Sequence, residues 1–120
     1  MKADSVRGLV ARLPEAEEGA HHGHPDFRVR NRIFATLGPA EDRSALRLPY
    51  DEARALTSTE PDTYTLVSDR EPFAWVSVQL GRVALEDFRD LLEEAWRWRA
   101  PTDVVARHEA ADADGSCGSP

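Results

Sequence analysis

Residues 26–37, DFRVRNRIFATL, alternate apolar and polar side chains on either side of a central Arg30–Asn31 pair. Phe27 and Val29 alternate with Arg28 and Arg30, and Ile33, Ala35 and Leu37 alternate with Phe34 and Thr36. A two-residue period sends successive side chains to opposite faces of a strand. Asparagine tolerates the positive φ of a tight hairpin turn. The stretch therefore predicts two antiparallel strands with one apolar face, a face that helices must cover.

The rest of the chain supplies that cover. Residues 2–13, KADSVRGLVARL, read as a helix whose Val6, Leu9, Val10 and Leu13 share one side, closed by Pro14. Residues 14–25, PEAEEGAHHGHP, carry the breakers Gly19, Gly23 and Pro25 and read as a link. A third short strand, ALRLP (45–49), leads into a helix, YDEARALTST (50–59). Two further strands follow, DTYTLVS (62–68) and FAWVSVQL (73–80), the latter with Phe73, Trp75 and Ser77 opposite Ala74, Val76, Val78 and Leu80. A strong helix spans 84–100, with Leu85, Phe88, Leu91, Leu92, Ala95 and Trp96 in one stripe and Pro101 closing it. The expected fold class is α+β: a single antiparallel sheet of about five strands with helices packed on one face. The domain is expected over residues 1–108, with 109–120 an acidic, Gly/Ser-containing disordered tail.

With 120 residues the chain supports one domain. No run approaches the ~20 apolar residues of a membrane span, and Arg7 and Arg12 interrupt the N-terminus where a signal peptide would be uninterruptedly apolar. A cytoplasmic protein with no membrane partner is expected. Cys117 is the single cysteine, so neither an intramolecular disulfide nor a cysteine-based zinc cluster can form. The formal charge of −7 is the wrong sign for a protein whose whole surface binds nucleic acid, although it permits a local basic patch.

Three groups of residues carry candidate chemistry. His21, His22 and His24 are weak metal candidates, with Glu17, Glu18 or Asp26 as possible carboxylate ligands. Adjacent side chains in an extended segment point apart, so a turn bearing exposed histidines is the simpler reading, and no metal or other cofactor is expected. Arg28, Arg30 and Arg32 on the hairpin, with Arg47 on the neighbouring strand and Arg43 extending the surface, could fork onto phosphate oxygens. Against this, a strand with one buried face always exposes a polar one. Trp75 and Trp96 read as core, and Trp98 as an edge residue. No glycine-rich phosphate loop, nucleophile elbow or Cys/His pair is present; Ser77 has no identifiable base, and Glu17–Glu18 and Glu93–Glu94 read as solvated acids. No enzymatic activity is expected.

Four segments, LPEAEEGAHHGHPDFRVRNRIFATL, LRLPYDEARAL, PDTYTLV and PFAWVSVQLGRVALEDFRDLLEEAWRWRAP, together resemble the MmcQ/YjbR family of small bacterial proteins across nearly the whole chain. The departure is GRVALEDF, where an Asp or Pro would be expected to open the last helix. The resemblance implies a compact α+β fold in a double-wing arrangement, proposed on that basis to bind DNA, and it brings no catalytic set. The expected function is thus non-catalytic DNA binding through the arginine-bearing hairpin, by a monomer. The alternative is a protein-interaction or adaptor module that uses the exposed sheet face or an edge strand.

Overall fold

A computed structural model describes residues 1–21, 23–38 and 40–117. The chain runs through α1 (Ala3–Val10), β1 (Ala16–His21), β2 (His24–Val29), β3 (Arg32–Leu37), β4 (Arg43–Pro49), α2 (Tyr50–Thr59), β5 (Tyr64–Ser68), β6 (Phe73–Gln79), α3 (Leu85–Arg99) and α4 (Thr102–Cys117). The strands form one antiparallel sheet in the order β1-β2-β3-β4-β6-β5. Arg30 and Asn31 take φ of 50° and 67°, the two left-handed residues of a type I′ hairpin, whose twist matches that of its strands.

Alternation decides which face is covered. Phe27, Val29, Leu46, Leu48, Val76 and Val78 are fully buried beneath α2 and α3, whose Ala53, Phe88, Leu92, Ala95 and Trp96 close the core. The opposite face carries Thr36, Ala45, Ser77 and Thr65 in one cross-strand row and Arg47, Trp75 and Ser68 in another. These side chains are half-buried or exposed. Trp75 therefore lies outside the core that the sequence suggests for it, because it points away from its buried neighbours Ala74 and Val76.

Four further expectations change. The sheet has six strands, because the presumed link contains β1 and the start of β2. Its glycines enable the pairing: Gly23 turns the chain at φ 79°, and a Cβ on Gly19 would lie 2.8 Å from Asp26 Oδ1 across the ladder. The first helix ends at Val10, yet Leu13 still packs in the core. Leu85, at the first position of α3, is 52% exposed and leaves the apolar stripe. Helix also continues past residue 108 as α4, anchored by buried Val104 and by Arg97 Nη1 donating to Glu109 Oε1 at 2.8 Å.

Where α2 meets α3, Glu52 hydrogen-bonds Glu94. Burial, then this hydrogen bond, then the like charge push the Glu52 carboxyl up to about 8. A folded pKa above the unfolded one means that the native state holds the extra proton between about pH 4.5 and 8. Stability therefore falls as pH rises through that window. Glu52→Gln is expected to flatten the decline and raise the thermal midpoint at pH 8, with little effect at pH 4.5. Calorimetry across this range checks it, and an unchanged slope would remove the pair as its source.

Candidate nucleic-acid interface

The four arginines singled out from sequence separate into two pairs. Arg28 grips Asp26, which is 0% exposed, through Nε–Oδ1 at 2.9 Å and Nη2–Oδ2 at 3.0 Å. Its Nη1 also donates to Asn31 Oδ1 at 3.1 Å. The bare backbone of Gly19 makes room for this fork. Arg30 is bound by both carboxylate oxygens of Glu15, which Arg107 of α4 also approaches at 3.4 Å. Each guanidinium pKa is raised, chiefly by its hydrogen-bonded carboxylate. The hairpin's first two arginines are thus each paired with a carboxylate of the same molecule, Arg28 with a buried one and Arg30 with one at the surface.

Among the described residues Arg32 and Arg47 have no carboxylate partner, and the fold adds a third cation beside them, Arg99. The β3–β4 ladder holds only three pairs, Ala35↔Leu46, Thr36↔Ala45 and Leu37↔Ser44, whereas β4 pairs with β6 along Arg43–Pro49. Phe34, left unpaired between Ile33 and Ala35 in the β2–β3 register, bulges β3 at the point where it leaves β4. Arg99, the last residue of α3, reaches this divergence and donates from Nε to the Ile33 carbonyl at 3.1 Å. That bond satisfies a carbonyl the ladder leaves free and holds the guanidinium at the strand ends.

Mutual repulsion follows. Burial lowers the Arg47 pKa, and the charge of Arg99 lowers it further; burial and then Arg32 do the same to Arg99. Arg47 Cζ sits 3.8 Å from the centroid of the Phe73 ring, and its Nη1 is buried with no acceptor among the described residues. Phe73 in turn meets Trp98 edge-on, with ring centroids 5.3 Å apart. An open depression of about 610 Å³ lies here, lined by Arg32 and Arg99 over Ile33, Ala45, Val67 and Trp75. Two like charges on its margin, with Arg47 beside them, and an apolar floor suit an anion that also carries a flat apolar group.

The remaining candidates do not assemble in this way. His24 is exposed, while His22 and the side chain of His21 lie outside the described residues. Among the described residues no group of three His, Cys, Asp or Glu side chains could hold a metal ion. Arg43 is exposed at the far end of β4. The Glu93–Glu94 pair is more than solvated surface: Glu93 bonds His108 Nε2 at 2.7 Å, and Glu94 meets Glu52. A cleft of about 410 Å³ between α1, α3 and α4 is lined by Arg12 and Arg89 together with Asp90 and Glu93, so it carries no comparable charge imbalance. Among the described residues no helix is long and apolar enough to cross a membrane.

Sequence reasoning had no means of finding Arg99. It lies 66 residues from the carbonyl it binds, and in WRWRAP it reads as the polar side of a helix end.

Comparisons with known proteins agree with this architecture. The chain is 28% identical over 120 residues to the uncharacterized protein Rv2570 of Mycobacterium tuberculosis, a match covering 85% of this chain and 91% of the relative. The uncharacterized protein Mb2600 of Mycobacterium bovis matches to the same extent. The crystal structure of Deinococcus radiodurans protein DR2400, a DUF419 domain, superposes with a TM-score of 0.70 at 22% identity, over 79% of this chain and 75% of that one. That likeness concerns the fold. The YjbR family model matches residues 11–98, from the end of the first helix to Trp98; the chain belongs to the YjbR family.

Proposed function

We propose that the protein is a non-catalytic DNA-binding protein that holds the phosphodiester backbone on the open face of its sheet, at Arg32, Arg47 and Arg99. The observation that carries this reading is Arg32 and Arg99 together on the margin of the depression, next to Arg47, none of the three with a carboxylate partner among the described residues and Arg47 with a buried N–H that has no acceptor among them. A buried unsatisfied donor costs free energy in the unliganded protein, and a phosphate oxygen supplies the missing acceptor in charge-assisted form. The net charge of −7 confines attraction to this patch. Arg28 and Arg30 serve the hairpin itself.

Fluorescence anisotropy of labelled DNA across a salt series tests the reading. Arg47→Ala/Arg99→Ala is expected to weaken binding by at least about tenfold at low salt. It should also reduce the salt slope by roughly 0.7–0.9 for each phosphate contact removed. Arg82→Ala, an exposed arginine just beyond the opposite end of β6, should change neither by as much. Equal binding by the double variant and the wild type would move the site elsewhere. Absence of wild-type binding at low salt would overturn DNA binding and favour an acidic protein partner on the same face.

A further inference from the structure

We infer that this face takes single-stranded rather than duplex DNA, with a base laid against Trp75 and its flanking phosphates on Arg32, Arg47 and Arg99. The inference rests on the DNA-binding reading above and goes further by naming the form of the nucleic acid. It starts from apolar surface where a phosphate site needs none. Three large hydrophobic side chains are described as exposed, and two of them, Val67 at 61% and Trp98 at 55%, lie at this end of the sheet. Val67 is exposed because β5 bulges there: Leu66 pairs with Val76 and Ser68 with Trp75, leaving Val67 with no cross-strand partner. It stands on the rim of the depression whose floor includes Trp75, Ala45 and Ile33.

The shape points the same way. The depression, of about 610 Å³, is open and shallow and offers a face rather than an enclosing pocket. A second, of about 340 Å³, also borders Trp75 and is lined by Arg47, Arg70, Glu71 and Phe73. Trp75 therefore lines two hollows, each with arginines at its margin, an arrangement that lets a strand place successive units along this face. A duplex keeps its bases stacked inside and presents sugar and phosphate outward. It would meet the arginines and leave the apolar floor empty. Reading a duplex groove calls for a projecting element. The projecting hairpin here has both Arg28 and Arg30 engaged by Asp26 and Glu15.

Electrostatics and stacking act together at Arg47. Its guanidinium lies over the Phe73 ring at 3.8 Å, which holds the plane in place before any ligand arrives. Aromatic platforms interleaved with cations are the general device for binding single strands without sequence preference, since every base offers a π face. The ring of Trp75 and the cations around it supply both parts, and salt-sensitive binding with weak sequence preference follows.

The test compares a labelled twelve-nucleotide dT oligomer with a twelve-base-pair duplex, using the full chain in both cases. The oligomer is expected to bind at least about tenfold more tightly. Trp75→Ala is expected to weaken its binding about 5- to 150-fold, the range for loss of one stacked base, while Trp75→Phe keeps most of the affinity. Because Trp75 is half-buried, Val67→Glu provides a second probe at a side chain with little packing to lose. It should weaken oligomer binding with no change in the thermal midpoint. Equal or tighter duplex binding that still depends on Arg47 and Arg99 would overturn the single-strand inference and leave DNA binding standing. Oligomer binding unmoved by Trp75→Ala and Val67→Glu would overturn it as well. Failure of both DNAs to bind would overturn both.

Discussion

Replacing Trp96 with alanine is expected to destabilise the domain by about 3–5 kcal/mol, the usual cost of emptying a large aromatic site in a core. Trp96 is 0% exposed and joins three parts of the molecule that share no backbone ladder. It belongs to α3, its Nε1 donates to the Pro14 carbonyl at 3.0 Å, and its ring meets His108 of α4 edge-on at 5.1 Å between centroids. Alanine leaves a cavity, an unsatisfied carbonyl in the α1–β1 link and an α4 without its ring contact to α3. Small domains have only about 5–15 kcal/mol of stability, so the variant should be partly unfolded at 37 °C. Urea denaturation followed by circular dichroism checks this. Trp96→Phe, which keeps most of the ring but loses the donor, should recover most of the loss. A cost below about 1 kcal/mol for the alanine variant would show that the site collapses and that α4 contributes little.

The second large effect concerns Arg28. Removing it leaves the carboxylate of Asp26 fully buried with no cation, the costly half of a broken buried pair. Arg28→Ala is expected to lower the urea midpoint markedly, and Arg28→Glu, which sets two carboxylates together, to prevent folding. The double variant Arg28→Ala/Asp26→Ala should be more stable than Arg28→Ala alone, because the stranded charge is gone. If the double variant is the less stable of the two, the carboxylate does not depend on Arg28. Charge reversal at Arg28, Arg30 and Arg32 together is therefore no clean test of DNA binding: loss of binding would report loss of the hairpin. Variants at Arg32, Arg47 and Arg99 separate the two.

These two sites also show why the arginines could not be sorted from sequence. Arg28 and Arg30 lie two residues apart on one hairpin, and period two alone makes them equivalent. In the structure one folds over Gly19 onto a buried aspartate, and the other reaches back to Glu15. Arg47, an unremarkable polar position in ALRLP, has its charge disfavoured by burial and then by Arg99, and its Nη1 has no acceptor among the described residues. Gly19, which reads as a strand breaker, is the residue that permits the β1–β2 ladder. In the link, breakers and charges hid a strand that has no apolar alternation of its own.

The family, the α+β class, the hairpin turn at Arg30–Asn31, the apolar face of β2 and the α3 stripe from Phe88 to Trp96 were all determined by sequence alone. Each rests on a local period of two or 3.6 residues, or on the φ preference of a single residue, and such preferences act within a few positions along the chain. Tertiary structure alone decided which cations are free. A guanidinium is quenched or exposed by whatever carboxylate or carbonyl lies within a few ångströms, and Glu15, Asp26, Ile33 and Arg99 reach those positions only once the sheet has closed and α3 has packed on it.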